Sequence, residues 1–298
     1  MLYYNLSSYL REKHGKRMKK ICIDGGFSCP NRDGKCGTGG CIYCGERGAG
    51  EHIDPTVSIG EQVKKALDAA RSDDIFIAYF QNFTNTYAPI EVLKERYDAA
   101  LIDERIKVLS IGTRPDCIDE QVCQLLAEYN ERLEVWIELG LQTSNDNTAK
   151  TINRGYPLDT FLDAAALLKR YDVKFVVHAI IGLPGEGETE ALETARVIAK
   201  VRPFGVKIHS IYVMEGTLLA KMYREKRYTP PTLEDYSRIC ARFLANLPMD
   251  TVIHRITGDC PRTMLVAPDW NADKNEIIDS VIRELTALGL KQGDLFLQ

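Results

Sequence analysis

Four of the nine cysteines of this 298-residue chain lie in one stretch, Cys29-Pro-Asn-Arg-Asp-Gly-Lys-Cys-Gly-Thr-Gly-Gly-Cys-Ile-Tyr-Cys44. Cys41 and Cys44 form a C-x-x-C pair, Cys29 lies upstream, and Cys36 lies between them. The glycines of this stretch indicate a loop. Several thiols in one loop are typical of a metal centre, so we expect the function to reside here.

The spacing alone leaves the kind of metal open. A structural zinc ion takes four ligands, and Cys36 could supply the fourth. An iron–sulfur cluster held only by Cys29, Cys41 and Cys44 would keep one iron open for a substrate or cofactor. The spacing favours an iron–sulfur cluster over zinc, and zinc over a disulfide pair.

Composition predicts a globular cytoplasmic protein. The chain is 45% hydrophobic, which suits one large α/β barrel or two smaller domains. No apolar run approaches the roughly twenty residues that would cross a bilayer, and residues 1–8 lack the pattern of a signal peptide. An odd number of cysteines fits a reducing compartment in which thiols bind metal. We therefore expect no membrane contact.

Charge is unevenly distributed along the chain. The net charge of -4 argues against a surface that coats nucleic acid in general. Residues 11–20, however, hold six Lys or Arg and one acid. We interpret residues 1–17 as a basic arm that is either solvated or a contact for RNA phosphates. The candidates for phosphate contact are Arg11, Lys13, Lys16, Arg17, Lys19 and Lys20.

From residue 18 onward, short β-branched runs alternate with longer amphipathic stretches, which predicts repeated βα units around a parallel sheet. Six strands are predicted, at 18–24, 75–80, 108–112, 133–141, 174–181 and 205–213. Helices are predicted between them, at 59–71, 90–102, 119–130, 158–170 and 189–201. A helix at 232–247, a strand at 251–257 and a helix at 276–290 follow. We therefore expect an α/β barrel at 18–215 and a C-terminal α/β extension at 216–298 packed on it.

The predicted fourth strand carries two acids, Glu134 and Glu138. Because side chains alternate between the faces of a strand, both should point to the same side. A carboxylate that points into a barrel requires a partner or a ligand. His178, on the apolar fifth strand, is interpreted as a core histidine with a satisfied ring, with substrate contact as the alternative.

The order of these features resembles radical S-adenosylmethionine (SAM) enzymes with a partial (β/α)6 barrel. The cysteine loop follows the first strand, Glu138-Leu-Gly-Leu-Gln142 lies on the fourth, Arg154-Gly-Tyr comes after it, and Gly182-Leu-Pro-Gly-Glu186 follows the fifth. The chain is similar in particular to the subfamily of the Elongator catalytic subunit, and within it to the YtqA/MnmL-type group. The motifs that carry this narrower likeness are Phe27-Ser-Cys-Pro-Asn-Arg-Asp-Gly34, Tyr79-Phe-Gln-Asn-Phe-Thr-Asn-Thr-Tyr87, Ile111-Gly-Thr-Arg-Pro-Asp116 and His254-Arg-Ile-Thr-Gly-Asp259.

The resemblance implies a cofactor and its ligands. Cys29, Cys41 and Cys44 would bind a [4Fe-4S] cluster whose remaining iron binds SAM, and Cys36 would be a bystander. The SAM contacts implied by the family are Gln81 for the amino group, Glu138 or Gln142 for the ribose or amino end, Arg154 for the carboxylate, and Gly182, Leu183 and Tyr212 for the adenine. The residues alone leave two alternatives: a surface cation for Arg154 and an ion pair inside the barrel for Glu138.

The five remaining cysteines are interpreted without a metal. Cys22, Cys117, Cys123 and Cys240 lie in amphipathic or turn contexts and are read as small buried hydrophobic residues. Cys260 follows the last motif in a polar loop, where a packed cysteine and a reactive one are both open.

The resemblance also implies a substrate and partners. The substrate would be tRNA, at a wobble uridine whose 5-substituent is trimmed from carboxymethylaminomethyl to aminomethyl, with flavodoxin or ferredoxin as electron donor. Two other functions stay open: a radical SAM enzyme for a small metabolite, and a zinc-stabilised RNA-binding adaptor without turnover. The physiological reductant and the oligomeric state are not predicted.

Overall fold

The computed structural model describes residues 2–48, 50 and 53–297. Its strands are β1 Lys19–Ile23, β2 Phe76–Phe80, β3 Ile106–Thr113, β4 Glu134–Gln142, β5 Lys174–Ile181, β6 Gly205–Ser210, β7 Val213–Met214, β8 Val252–Arg255 and β9 Leu265–Ala267. Seven of them form one parallel sheet, in the order β1-β2-β3-β4-β5-β6-β8, which curls into a partial barrel. The strands β7 and β9 form a separate antiparallel pair.

The helices lie between the strands as the sequence predicts. They are α1 Leu6–His14, α2 Ile59–Asp68, α3 Ile90–Ala100, α4 Glu120–Asn130, α5 Asp146–Thr151, α6 Leu158–Arg170, α7 Glu188–Val201, α8 Leu218–Arg224, α9 Leu233–Ala245 and α10 Lys274–Ala287. Capping residues fix several starts: Ser58 and Glu61 form a capping box at α2, and Asp119 accepts the Val122 amide at α4. Within the described ranges, none of the helices combines the length and apolar character needed to span a membrane.

The predicted βα units are confirmed, with each barrel strand and helix within three residues of its expected bounds. The strand predicted at 251–257 is β8, which pairs in parallel with β6 and adds a seventh strand to the barrel sheet. The C-terminal segment therefore continues the barrel sheet, in addition to packing on it. Three short helices, α1, α5 and α8, and the pair β7 and β9 were not predicted, because elements this short carry little periodic signal.

The basic segment at the amino terminus is largely the helix α1. Asn5 caps its start, and Gly15, at φ +72°, ends it. These two capping signals are readable in the sequence and indicate a helix, whereas the density of charge favours an arm. The buried Leu10 packs with Trp136 of β4, so the helix covers one end of the barrel interior. The description of residues 1–17 as a loose arm is therefore wrong for the helical part.

Glu134, at the start of β4, connects this helix to the amino ends of the strands. Its carboxylate accepts a hydrogen bond from the Tyr9 hydroxyl at 2.5 Å and pairs with Lys13 at 2.7 Å and Lys174 at 2.5 Å. Because Lys174 is the first residue of β5, α1 lies at the amino ends of the strands, away from the cysteine loop that follows β1. The predicted phosphate contacts from α1 therefore face away from the mouth of the barrel.

Side chains alternate between the two faces of the barrel strands. On β1, Ile21 and Ile23 face the helices and join the main hydrophobic core, whereas Lys20 and Cys22 face the barrel interior. Inner side chains near the amino ends are apolar and form a floor under the barrel: Ile77, Val108, Trp136 and Val176. One layer higher the inner side chains are polar and charged, and the candidate site begins there.

Candidate active site

A cavity of about 310 Å³ opens at the carboxyl ends of the barrel strands and reaches down to the charged layer. Functional groups of parallel barrels gather at this end, where the strands lead into variable loops. Cys29, Cys41 and Cys44 line the cavity, together with side chains from β1 to β6. Three thiols of the cysteine loop thus share one space, which extends below them into the barrel.

Cys36 does not line this cavity. It is exposed, with its Sγ 3.6 Å from an Arg114 guanidinium nitrogen and 3.7 Å from an Asp116 carboxylate oxygen. Asp116 in turn forms a salt bridge with Arg114 at 2.7 Å. The structure therefore separates the fourth cysteine of the loop from the other three.

Two asparagines hold the cysteine loop against the segment after β4. The fully buried Asn31 donates from Nδ2 to the Asn153 carbonyl at 2.5 Å, and its own carbonyl accepts the Gly40 amide at 2.8 Å. Asn153 returns a bond from Nδ2 to the Gly40 carbonyl at 2.8 Å. Gly40 has φ +75°, and a Cβ there would lie 2.9 Å from Nε of Arg32. The conformation and the close approach both favour glycine.

Within the loop, Cys41 and Cys44 interact with each other. Hydrogen bonding from Cys44 lowers the pKa of Cys41 to about 6, with Tyr43 and the Arg114 charge acting in the same direction and burial opposing them. The same bond and burial raise the pKa of Cys44. The pair thus favours one thiolate and one thiol, and the thiolate is the form that binds metal.

The donor set suits an iron–sulfur cluster. Soft thiolates select iron–sulfur clusters and zinc, and the three cavity-facing thiols could each bind a different iron. In the described ranges, no three His, Cys, Asp or Glu side chains are arranged as the ligands of a single metal ion.

The end of β4 turns a glutamine into the cavity. The sheet register shifts between Gly140 and Gln142, and Gln142 has φ +68°. A Cβ on Gly140 would lie 2.9 Å from Nε2 of Gln142, so the absent side chain makes room for the amide. The Tyr156 hydroxyl donates to the Gly140 carbonyl. The predicted site residue Gln142 is therefore held at the cavity wall by its own local backbone.

Arg154 borders the cavity, but its guanidinium is engaged elsewhere. Its side chain is only 1% exposed, and all five N–H groups donate to protein atoms. Nε and Nη2 reach the Tyr156 carbonyl at 3.0 and 2.8 Å, Nη1 reaches the Leu141 and Thr143 carbonyls at 2.7 and 2.5 Å, and Nη2 reaches Asp146 at 3.3 Å. The surface-cation alternative is therefore wrong. The contact with the SAM carboxylate stays a prediction, and it would require Arg154 to release one of these bonds.

The other predicted SAM residues divide into two groups. Gln81 and Tyr212 line the cavity. Gly182 and Leu183 do not; Leu183 is 1% exposed and packs in a small hydrophobic core with Ile42 of the cysteine loop. The segment after β5 therefore supports the loop from behind, and its adenine contacts stay a prediction.

Glu138 is buried in the middle of the barrel with three partners. It pairs with Lys207 of β6, accepts from the Ser110 hydroxyl at 2.9 Å, and lies 3.0 Å from Nε2 of His178. Lys207 is itself only 3% exposed and lies 3.3 Å from the Tyr79 hydroxyl. The alternative of an ion pair inside the barrel is confirmed for Glu138. The ring of His178 is satisfied as predicted, but His178 lines the cavity with its side chain 18% exposed, so it is not a core residue and its contact with substrate stays a prediction.

The charges of this pair oppose the effect of burial. Burial acts to raise the pKa of Glu138, but the Lys207 charge and the hydrogen bond with His178 hold it well below its usual range. Burial lowers the pKa of Lys207 to about 7, while Glu138 acts to raise it. The direct contact favours the ion pair. Sequence reasoning missed Lys207, although a lone lysine among apolar residues of a predicted strand was a usable signal.

The remaining cysteines mostly follow the interpretation from the sequence. Cys123 and Cys240 are buried in the main core, as predicted. Cys22 is half-buried and lines the cavity, so it is not a core residue. Cys117 and Cys260 are half-buried near the mouth of the barrel and in the loop after β8.

Comparison with known proteins identifies the family. A model of the radical SAM superfamily matches residues 34–198, and a model of the Radical_SAM C-terminal domain matches residues 203–287. The chain therefore belongs to the radical SAM superfamily, whose members bind a [4Fe-4S] cluster and SAM. Cysteine thiolates are the ligands that such clusters use, and the assignment of Cys29, Cys41 and Cys44 to this role stays a prediction.

Similar proteins indicate the subfamily within this superfamily. YtqA of Bacillus subtilis (strain 168) is 37% identical over 99% of this chain and 92% of its own length. The tRNA uridine(34) acetyltransferase of Dehalococcoides mccartyi is 30% identical over 53% of this chain and 35% of its own length. The solved structure of Elp3 from the archaeon Methanocaldococcus infernus has the same fold, with a TM-score of 0.66 over 78% of this chain and 59% of that chain at 21% identity. The expected Elongator-like subfamily and its YtqA-type group are confirmed.

Proposed function

We propose that this protein is a tRNA-modifying radical SAM enzyme that converts a 5-carboxymethylaminomethyl group on wobble uridine to aminomethyl. The observation that carries the proposal is the cavity that Cys29, Cys41 and Cys44 share with the charged side chains of the barrel interior. The choice of tRNA is supported by the name of the related uridine(34) acetyltransferase, which acts on the same nucleoside position. The match covers 53% of this chain and 35% of that protein, so the substrate is carried over as a proposal.

The three cavity-facing cysteines would hold the cluster, and Cys36 would not. With its cofactors bound, the site supplies a 5′-deoxyadenosyl radical able to remove a hydrogen atom from a substrate carbon. Gln81, Gln142 and Tyr212 line the wall where SAM would be oriented. At its lower end the barrel interior is closed to water, because α1 and the apolar floor cover it.

The substrate chemistry suits this site. The carbon between the amine and the carboxylate is activated, since both neighbours stabilise a radical there. Loss of the hydrogen atom, and then of one electron and one proton, turns the C–N bond into an imine. A protein of the flavodoxin or ferredoxin class would accept that electron. Water then cleaves the imine into the aminomethyl group and glyoxylate, so that atoms and electrons balance.

The base must leave its stack to enter the barrel. Anticodon bases are unstacked at low cost compared with bases in a duplex, which makes a wobble nucleoside accessible to a buried site. Cations near the mouth that could meet backbone phosphates include Arg32 and Lys35 of the cysteine loop, which lie over the rings of Phe83 and Tyr87. They replace the helix α1 as candidates, because α1 is at the other end of the barrel.

Cells that lack this protein should accumulate 5-carboxymethylaminomethyl-type uridine in their tRNA and lose the aminomethyl form. The reason is that no other step of the proposed route removes the two-carbon unit. Nucleosides from digested tRNA of deleted, wild-type and complemented strains would be quantified by mass spectrometry. A complementing copy with Cys41→Ala serves as the control for loss of chemistry. An identical wobble-nucleoside profile in the deleted and wild-type strains would contradict the proposed substrate.

A further inference from the structure

The barrel interior holds more positive than negative charge. Three cations point into the cavity below the cysteine loop: Lys20 from β1, Lys207 from β6 and Arg255 from the end of β8. Glu138 is the buried anion of this layer, and Lys207 pairs with it directly. Arg255 forms a salt bridge with Asp259 at 3.1 Å, and Asp259 also pairs with Lys274 at 2.6 Å. Of the three cations, Lys20 therefore has no acid partner among the described residues, and Arg255 shares its one acid with Lys274.

Lys20 has an aromatic neighbour in place of an acid. Its Nζ lies 5.3 Å from the centre of the Tyr79 ring, and no carboxylate of the described residues lies within salt-bridge distance of it. The Nζ of Lys207 lies 4.5 Å from the same ring. Two ammonium groups thus share one π system, which attracts cations but cannot neutralise them.

The positive charge of this layer lowers the pKa of a neighbouring imidazole. Burial lowers the pKa of His209 well below its usual range, and the charges of Arg255 and Lys207 lower it further. Lys20 lines the cavity and keeps solvent access, because it is one of the exposed residues of β1. His209 is therefore kept neutral, and the cations of this layer, Lys20, Lys207 and Arg255, repel one another.

We propose that Lys20 and Arg255 bind the anionic end of the substrate, which is a carboxylate. This inference rests on the proposed function, under which the carboxylate is that of the carboxymethylaminomethyl group. The anion site contributes to the specificity of that reaction, because it selects the substituent that is trimmed. Lys207 is not assigned as a ligand, since Glu138 holds its single nitrogen. Arg255 meets Asp259 through Nη2 alone and has further N–H groups that can donate to a second carboxylate.

The chemistry of the pair favours a carboxylate. A guanidinium and an ammonium donate charge-assisted hydrogen bonds to carboxylate oxygens, and they leave the cavity close to neutral once the anion is bound. A neutral amide of the same shape gains neither effect, so the pocket discriminates through charge. The trimmed aminomethyl product carries a positive charge and no carboxylate, so the same two cations repel it and assist its release.

The test compares Lys20→Gln with Lys19→Gln in the reconstituted holoenzyme. Lys19 is the adjacent residue, faces outward and pairs with Asp74 at 2.6 Å, so its variant matches the charge change without touching the cavity. The substrates are anticodon stem-loops that carry either the carboxymethylaminomethyl group or its neutral carbamoyl analogue. We expect wild type and Lys19→Gln to prefer the carboxylate by about tenfold to a hundredfold in kcat/KM. Lys20→Gln and Arg255→Gln should lose that preference, and Lys20→Arg should keep most of it.

The outcomes separate the two proposals. Equal kcat/KM of wild type for the carboxylate and the amide would overturn the anion site while the tRNA reaction stands. A preference that survives in Lys20→Gln and in Arg255→Gln would overturn it as well. If wild type modifies neither stem-loop, the binding of iminodiacetate is measured by calorimetry. Binding to wild type and to Lys19→Gln, but not to Lys20→Gln, supports the anion site without the tRNA reaction. Equal or absent binding in all three overturns the anion site.

Discussion

Replacing Cys41 with alanine should give a folded but colourless protein that does not cleave SAM, whereas Cys36→Ala should stay brown and active. The physical reason is the separation of the two thiols: Cys41 faces the cavity with Cys29 and Cys44, and Cys36 lies outside it beside Arg114. Loss of one of three cluster thiolates removes the site, so activity should fall to background. Loss of Cys36 removes only two weak contacts, at 3.6 Å with Arg114 and at 3.7 Å with Asp116.

The measurement is iron and sulfide content, the visible spectrum and SAM cleavage after anaerobic purification. The matched pair keeps the same substitution within the same loop, and circular dichroism verifies that both variants fold. A Cys36→Ala protein that loses its metal, with about one zinc per chain in wild type, would favour the zinc-stabilised adaptor and contradict the three-cysteine site.

Glu138→Gln should lower the free energy of unfolding by about 3–5 kcal/mol. The substitution leaves the ammonium of Lys207 buried at 3% exposure without its counter-charge. The double variant Glu138→Gln with Lys207→Met should recover much of the loss, because it removes the uncompensated charge and keeps the volume. Urea unfolding of the two variants and wild type at one pH measures the difference. A Glu138→Gln protein as stable as wild type would contradict a buried ion pair.

The pH dependence of this variant has a defined sign. Burial lowers the pKa of Lys207 to about 7 even beside Glu138, and loss of that carboxylate lowers it further. Its pKa in the unfolded chain is about 10.4. Between the folded and unfolded values the unfolded state binds more protons, so the unfolding free energy of Glu138→Gln should rise as pH increases from about 7 to about 9.

The repeated units of the fold were predictable because they rest on periodicity. The strand that contains Glu134 and Glu138 alternates acids with apolar residues, and the structure places both acids inward with partners at two levels of the barrel. The pairing of these acids with Tyr9 and Lys207 was not predictable, because both partners reach β4 from distant parts of the chain. Local patterns specify which face a residue occupies, but they do not specify which distant side chain meets it.

In the candidate site too, the positions of residues could be predicted, whereas their distant contacts could not. Three cavity-facing cysteines and Gln142 are where the family motifs place them. Arg154 is at the expected level, yet five donors bound to neighbouring acceptors could not be inferred from an Arg-Gly-Tyr motif. The excess of cations inside the barrel could not be predicted either, because in the sequence Lys20 belongs to the basic segment. In the strand β1 the side chain of Lys20 faces the barrel interior, whereas that of Lys19 faces outward.

Transfer of deuterium tests the central claim most directly. A stem-loop with deuterium on the carboxymethyl carbon of its wobble uridine would be incubated with the holoenzyme, SAM and a reductant, and the 5′-deoxyadenosine formed would be analysed by mass spectrometry. The predicted result is one deuterium in 5′-deoxyadenosine, formed together with the aminomethyl nucleoside. Formation of the aminomethyl nucleoside with unlabelled 5′-deoxyadenosine only, or no turnover of this RNA by a holoenzyme that cleaves SAM, would contradict the account.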